Sequence, residues 1–138
     1  MIRRIERDFA ATLDQVSDAC DVLREFCEGH GVSEDQSYPL VLALEELGAN
    51  VVNHGYRGRA DGRFEVHMTC LDNALELEVI DAAPAFNPLE APPPDLDASI
   101  EDRPIGGLGV HLVRQLTEQI EYRRTQGHNH VIVRLPLP

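Results

Sequence analysis

Three groups of residues have the types and spacing for chemistry. The first is Glu45-Glu46-Leu47-Gly48-Ala49-Asn50-Val51-Val52-Asn53-His54-Gly55-Tyr56. On an α-helix, Asn50 falls about 40° from Glu46 and Asn53 about 20° to the other side. Glu46, Asn50 and Asn53 then share a polar face, while Leu40, Leu44, Leu47 and Val51 mark the core side. A carboxylate and an amide oxygen one turn apart can act as a general base and a ligand for a hard metal ion. On spacing alone, the plainer reading of a solvated polar face stands ahead of a site. The second group is Gly106-Gly107-Leu108-Gly109, opening a helix. Small residues there let backbone N–H groups approach phosphate oxygens, although glycines also end loops for steric reasons alone. The third is Asp81, where a strand runs out. An Asp at that place can point into a cleft, and it is equally a common turn former.

The elements that must position these groups are legible from periodicity. Residues 2–10 alternate and read as a strand. Thr12 to Gln15 has capping-box spacing. The stripe Leu13, Val16, Cys20, Leu23, Cys27 predicts an amphipathic helix over 13–28. Gly29 and Gly31 end it. Ser33 to Gln36 offers a second capping box, but Pro39 favours a helix start near Ser37, with the helix running from Leu40 to about Asn53. Phe64, Val66, Met68 and Cys70, then Leu75, Leu77 and Val79, predict a hairpin turning at Leu71-Asp72-Asn73. Residues 82–105 hold six of the nine prolines and no periodicity, which reads as a functional loop, a lid or binding loop, or else as a disordered segment. A helix over about 109–118 follows. Strands at Ile120–Thr125 and Val131–Leu135, joined by a turn at 126–129, close the chain. The predicted order is β-α-α-β-β-α-β-β: an α+β, two-layer sandwich with helices on one face of a mixed, mostly antiparallel sheet.

Composition narrows the chemistry. The chain has 138 residues, the size of one domain. It carries 24 Asp and Glu against 12 cations, all arginine, for a net charge of −12. Without lysine, a P-loop, a eukaryotic-type kinase site and Schiff-base catalysis are excluded. The acidity argues against nucleic acid and anionic membrane as partners. A phosphorylated ligand would need a metal ion, backbone N–H groups and a few arginines. There is no apolar run of membrane-spanning length, and residues 1–8 lack the apolar segment of a secretory signal, so the expected location is the cytoplasm. Cys20, Cys27 and Cys70 form no CxxC pair, and the first two sit on the core stripe.

Taken together, an E-x-x-x-N box ending in His-Gly-Tyr, an Asp-led box after a strand, a variable lid and a G-G-x-G entering a helix resemble the GHKL ATPase superfamily. Within it the pattern is most similar to the stand-alone anti-sigma factor serine/threonine kinases of bacteria. The resemblance covers nearly the whole chain. It implies the Bergerat-type ATPase fold over 1–138, with an ATP lid at about 87–107. It implies Glu46 as general base, Asn50 as the ligand of the Mg²⁺ that bridges the ATP phosphates, and Asp81 as acceptor from the adenine amino group. Ala83 would lie against the nucleotide. Gly106, Gly107, Leu108 and Gly109 would form the lid hinge and phosphate-facing backbone, with Arg103 adding positive charge. His54, Gly55 and Tyr56 would shape the pocket. Sensor histidine kinases, which share the fold, commonly carry His or Asn where Glu46 stands and need a separate phosphoacceptor helix.

Two departures stand out. Ala83 replaces the glycine of the usual D-x-G, and its methyl group is expected to obstruct close approach of adenine. Asn87 stands where Asp is frequent. The implied function is a Mg²⁺- and ATP-dependent protein serine/threonine kinase that sequesters a sigma factor and phosphorylates an anti-anti-sigma (STAS-domain) protein. Family analogy adds a homodimer. Ala83 motivates the alternative, a non-catalytic partner-binding regulator with or without nucleotide. A metal-dependent hydrolase using His54, Asp81, His128 and His130 is the third reading, with His128 and His130 otherwise taken as surface residues of a turn.

Overall fold

The structure is a computed structural model and describes residues 3–59, 61–90, 114 and 119–138. Strand β1 (Arg3–Ala10) leads into helix α1 (Leu13–Glu28) and helix α2 (Glu34–Asn50). Strands β2 (Arg63–Cys70) and β3 (Ala74–Asp81) follow, then a short 3₁₀ turn at Pro88–Glu90, then β4 (Gln119–Thr125) and β5 (His128–Pro136). Among the described residues five strands pair in the order β1-β2-β3-β5-β4. All the described ladders are antiparallel, where a mixed sheet was expected. The two-layer α+β class stands. The helix expected over 109–118 lies outside the described residues except for Arg114, which is helical.

Alternation drives the sheet. In β2, β3 and β5 every second residue is buried, among them Val66, Met68, Leu77, Val79 and Val133. That face packs on Val16, Leu23 and Cys27 of α1 and on Leu40, Leu44 and Leu47 of α2. Leu13, expected to open the α1 stripe, is 56% exposed instead, while Ala19 and Phe26 are buried. The buried stripe of α1 begins one turn later, at Val16. Burial pushes the Cys20 and Cys27 thiols up to about 11, as suits core residues. No helix among the described residues is long and apolar enough to cross a membrane.

Helix α2 begins earlier than Pro39 suggested. Ser33 caps it, accepting from the Gln36 N–H at 3.2 Å, while the Gln36 side chain accepts from the Ser33 N–H at 2.9 Å. Pro39 lies inside the helix. The carbonyl it leaves without an intrahelical partner belongs to Asp35, which is exposed and open to water. The reciprocal cap offsets that loss. Gly48 lets α2 approach α1: a Cβ there would stand 2.7 Å from a Val16 methyl. At the other end the helix does not run on to Asn53 as an α-helix. It widens into a π-turn at Val51–Gly55, closed by the Tyr56 N–H donating to Val51 O at 2.9 Å.

Candidate functional site

The site lies where α2 gives way to the π-turn and faces the ends of β3 and β5. The buried row of β3 runs Leu77, Val79 and then Asp81, so the last inward residue is a carboxylate. The buried row of β5 begins at Asn129, directly across from Asp81 in the ladder. An apolar sheet face therefore ends in a polar pair. Asn129, 2% exposed, donates from Nδ2 to Asp81 Oδ1 at 2.8 Å. The same Nδ2 reaches the carbonyls of Pro84 at 3.1 Å and Ala83 at 3.3 Å. Its Oδ1 accepts from the Tyr122 hydroxyl and, at 3.3 Å, from the Phe86 N–H. One amide thus ties β3, β4, β5 and the 83–86 segment together.

Asp81 Oδ1 also accepts from the Ala83 N–H at 2.9 Å. Its Oδ2 accepts nothing from the described residues. Burial pushes the carboxyl above its usual range, opposed by Asn129, the Ala83 N–H, Arg124 and His128. Arg124 is fixed by donating to Ala83 O at 2.8 Å.

Across from this pair, Asn50 is 8% exposed and its amide makes no side-chain hydrogen bond among the described residues. Asn50 and Asp81 line one cleft together with Leu47, Gly55, Phe86 and Asn129. The cleft is pinched: about 20 Å³ of it admits a water-sized sphere, room for a single water. The ring of Phe86 stacks on His54 at 5.4 Å and 12°. Glu46, one turn before Asn50, is half-buried and lies outside the cleft lining. Burial first, and the neighbouring Glu45 second, raise its carboxyl above the ordinary range.

Several expectations change. Asn53 is exposed while Asn50 is buried. The π-turn breaks the 100° count after Asn50, so Asn53 does not share the cleft face. Ala83 is buried but does not line the cleft. Its methyl faces Gly55, where an added Cβ would come within 3.1 Å of it. The methyl group is thus turned toward the end of the helix layer. Tyr56 holds that end in place, donating to Arg63 O at 2.6 Å and accepting from the Ala82 N–H at 3.0 Å. Its ring covers Gly62, where a Cβ would fall 2.5 Å from the ring. Asn87 caps the turn at Pro88–Glu90, accepting from the Leu89 N–H at 2.9 Å. The hydrolase set does not assemble: His130 lies 2.8 Å from Glu78 on the face of the sheet turned away from α1 and α2. No group of three His, Cys, Asp or Glu among the described residues could hold a metal ion. Arg103, Gly106, Gly107, Leu108, Gly109 and the 91–107 part of the expected lid lie outside the described residues.

Asn129 was not singled out from the sequence. The available clue was its place in β5, two residues before Val131 on the inward alternation, where a polar residue needs a partner.

Comparison with known proteins bears on this geometry. The histidine kinase-like ATPase domain family matches residues 9–135. The serine/threonine-protein kinase BtrW of Bordetella bronchiseptica is 27% identical over 94 residues, covering 68% of this chain and 66% of BtrW. The serine-protein kinase RsbW of Listeria monocytogenes is 28% identical over 108 residues, covering 75% of this chain and 69% of RsbW. A crystal structure of the RsbU and RsbW domains of a Mycobacterium tuberculosis protein is similar with a TM-score of 0.66 at 16% identity, covering 99% of this chain and 33% of that one. The matches thus span about two thirds of the curated relatives and a third of the solved chain.

Proposed function

Because the chain belongs to the histidine kinase-like ATPase domain family, we propose that it is a Mg²⁺- and ATP-dependent protein serine/threonine kinase serving as an anti-sigma factor. Its protein partners are then a sigma factor and a STAS-domain anti-anti-sigma protein. It works as a homodimer in the cytoplasm, each chain one ATPase domain over 1–138 with a lid at about 87–107.

The observation that carries this reading is the convergence of Asn50 and Asp81, from opposite layers, on one cleft. The residues present fit a nucleotide. Asn50 offers an amide with no side-chain partner among the described residues, and Asp81 offers one uncommitted oxygen. When bound, Mg²⁺–ATP supplies the phosphoryl group and neutralises charge during its transfer. Asp81 accepts from the adenine amino group, its orientation set by Asn129. Asn50 holds Mg²⁺. Glu46 takes the proton from the serine or threonine hydroxyl as that oxygen bonds to the γ-phosphorus and ADP leaves. Raised carboxyl basicity suits that task. Ala83 serves through its backbone, which fixes Asp81 Oδ1. Arg103, Gly106, Gly107, Leu108 and Gly109 are assigned to the phosphates.

The test is transfer of labelled γ-phosphate to the cognate STAS protein, beside a Glu46→Ala variant. Transfer lost in the variant is expected, and unchanged transfer would remove Glu46 as the base. The narrowness of the cleft favours a second reading, a partner-binding regulator that transfers no phosphate. Absence of any thermal stabilisation by millimolar ADP and Mg²⁺ would put that reading first.

A further inference from the structure

The cleft is walled mostly by apolar residues, Phe86 among them, with three polar side chains, Asn50, Asp81 and Asn129, set between them. Asn50, Asp81 and Asn129 present amide and carboxylate groups, yet the space between them is narrowed by Phe86 and Pro88. Asn129 is fully committed to Asp81, Ala83, Pro84, Tyr122 and the Phe86 N–H, but a phenyl ring offers no hydrogen bond to Asn50 or Asp81. Asp81 Oδ2 is left without a donor among the described residues. A planar heteroaromatic ring carrying an amino group would supply one.

Phe86 is also held there on two sides. Its N–H donates to Asn129 Oδ1 at 3.3 Å, and its ring lies on the exposed His54 ring at 5.4 Å. Behind it, Arg124 and Asn129 anchor the carbonyls of Ala83 and Pro84. Ahead of it, Arg114 donates to Leu89 O at 2.7 Å. The backbone on both sides is pinned, so the ring leaves the cleft by side-chain rotation, which gives up its stacking on His54.

We infer that Phe86 is the affinity-setting residue of this site: its ring, clasped by His54, occupies the slot that the purine takes, and nucleotide binds only as Phe86 swings out. The inference rests on the nucleotide reading of the cleft. Competition between an internal ring and the ligand lowers the apparent affinity by the fraction of molecules with the slot open. Removing either ring of the stack removes that competition.

The experiment is calorimetric titration of ADP with Mg²⁺ into the native protein and into Phe86→Ala, His54→Ala and Asp81→Asn variants. Phe86→Ala and His54→Ala should each bind about threefold to tenfold tighter, the range a stacking contact supports. Asp81→Asn should not bind. In the native protein, an NMR cross-peak between the Phe86 and His54 rings should be present without nucleotide and disappear on saturation with ADP. Native binding with equal or weaker affinity in both ring variants would overturn the inference and leave the nucleotide site standing. So would a ring cross-peak that survives saturation. No binding by the native protein or by either ring variant would overturn the nucleotide reading itself, and Phe86 with it. His54→Ala, at an exposed position, keeps the test valid should Phe86→Ala fail to fold.

Discussion

Glu46 sits half-buried beside Glu45, and both burial and that neighbour push its carboxyl upward. A base acts in its ionised form, so a raised carboxyl moves the acid limb of the rate profile to higher pH. Glu45→Gln removes the second cause and should shift that limb of phosphoryl transfer to lower pH. A profile unchanged by Glu45→Gln would mean that another group limits the rate. Glu46→Gln itself should reduce transfer by about 10²-fold or more while ADP affinity stays within about twofold. Asp81 illustrates a different consequence of burial. Its folded-state carboxyl lies above its unfolded value, so the folded form binds the proton more tightly. Its contribution to stability therefore improves as pH falls through the raised value and is a penalty at neutral pH. Asp81→Asn keeps an acceptor at Oδ1 for Asn129 and Ala83 and removes the buried charge. It should raise Tm at pH 7 by about 2 °C or more while abolishing nucleotide binding. Thermal melts at pH 5 and pH 7 check the sign, since the gain should shrink at the lower pH. A motif marks Glu46, Asn50 and Asp81 in the sequence, and of these the structure brings Asn50 and Asp81 to one cleft, with Glu46 outside its lining. Asn129 was not legible there, because its importance depends on the ladder register that sets it opposite Asp81.

At the scale of elements, the second helix shows what local rules can and cannot give. Its capping box at Ser33 and Gln36 was readable, and so were Leu40, Leu44 and Leu47 as core. Pro39 is tolerated inside the helix, since the carbonyl it leaves unpaired belongs to an exposed residue, Asp35, that water can reach. The π-turn was invisible to a fixed 100° count, because five-residue hydrogen bonds arise from tertiary contacts around Gly55 and Tyr56. Those contacts make predictions of their own. Tyr56→Phe loses a hydroxyl that bridges Arg63 O and the Ala82 N–H, and should cost about 1 kcal/mol in urea unfolding. Gly48→Ala should cost about 1–3 kcal/mol, because the new methyl meets Val16 at 2.7 Å. The cost should fall sharply when Val16→Ala is added, since the clash has a single partner. A Gly48→Ala protein as stable as the native one would show that the two helices can slide apart freely.

Over the whole molecule, charge is divided between the layers. The exposed faces of α1 and α2 carry Asp14, Asp18, Asp21, Glu25, Glu28, Glu34, Asp35 and Glu45, relieved only by Arg24. The sheet face instead alternates the two signs, with Arg63 against Asp8 at 2.8 Å and Arg134 against Glu76 at 3.3 Å. The net charge of −12 was legible at once, but its division was not, because only the fold decides which residues share a face. The candidate cleft opens at the seam between the layers, at the end of α2 that carries Glu45 and Glu46. A highly anionic nucleotide must approach this molecule against its field, and exposed charges interact over about 10 Å at 0.1 M salt. Two effects should follow for a nucleotide site. Removing Mg²⁺ should weaken ATP binding by at least about tenfold, because the cation would offset the repulsion between the nucleotide and the acidic surface. Without Mg²⁺, ATP should bind more tightly as salt rises from about 20 to about 200 mM, the reverse of the usual loss for anions on basic surfaces. With Mg²⁺ the dependence should flatten. Titrations at the two salt concentrations decide between field and contact: Mg²⁺-free affinity that falls with salt would show that arginines at the mouth of the site outweigh the acidic surface.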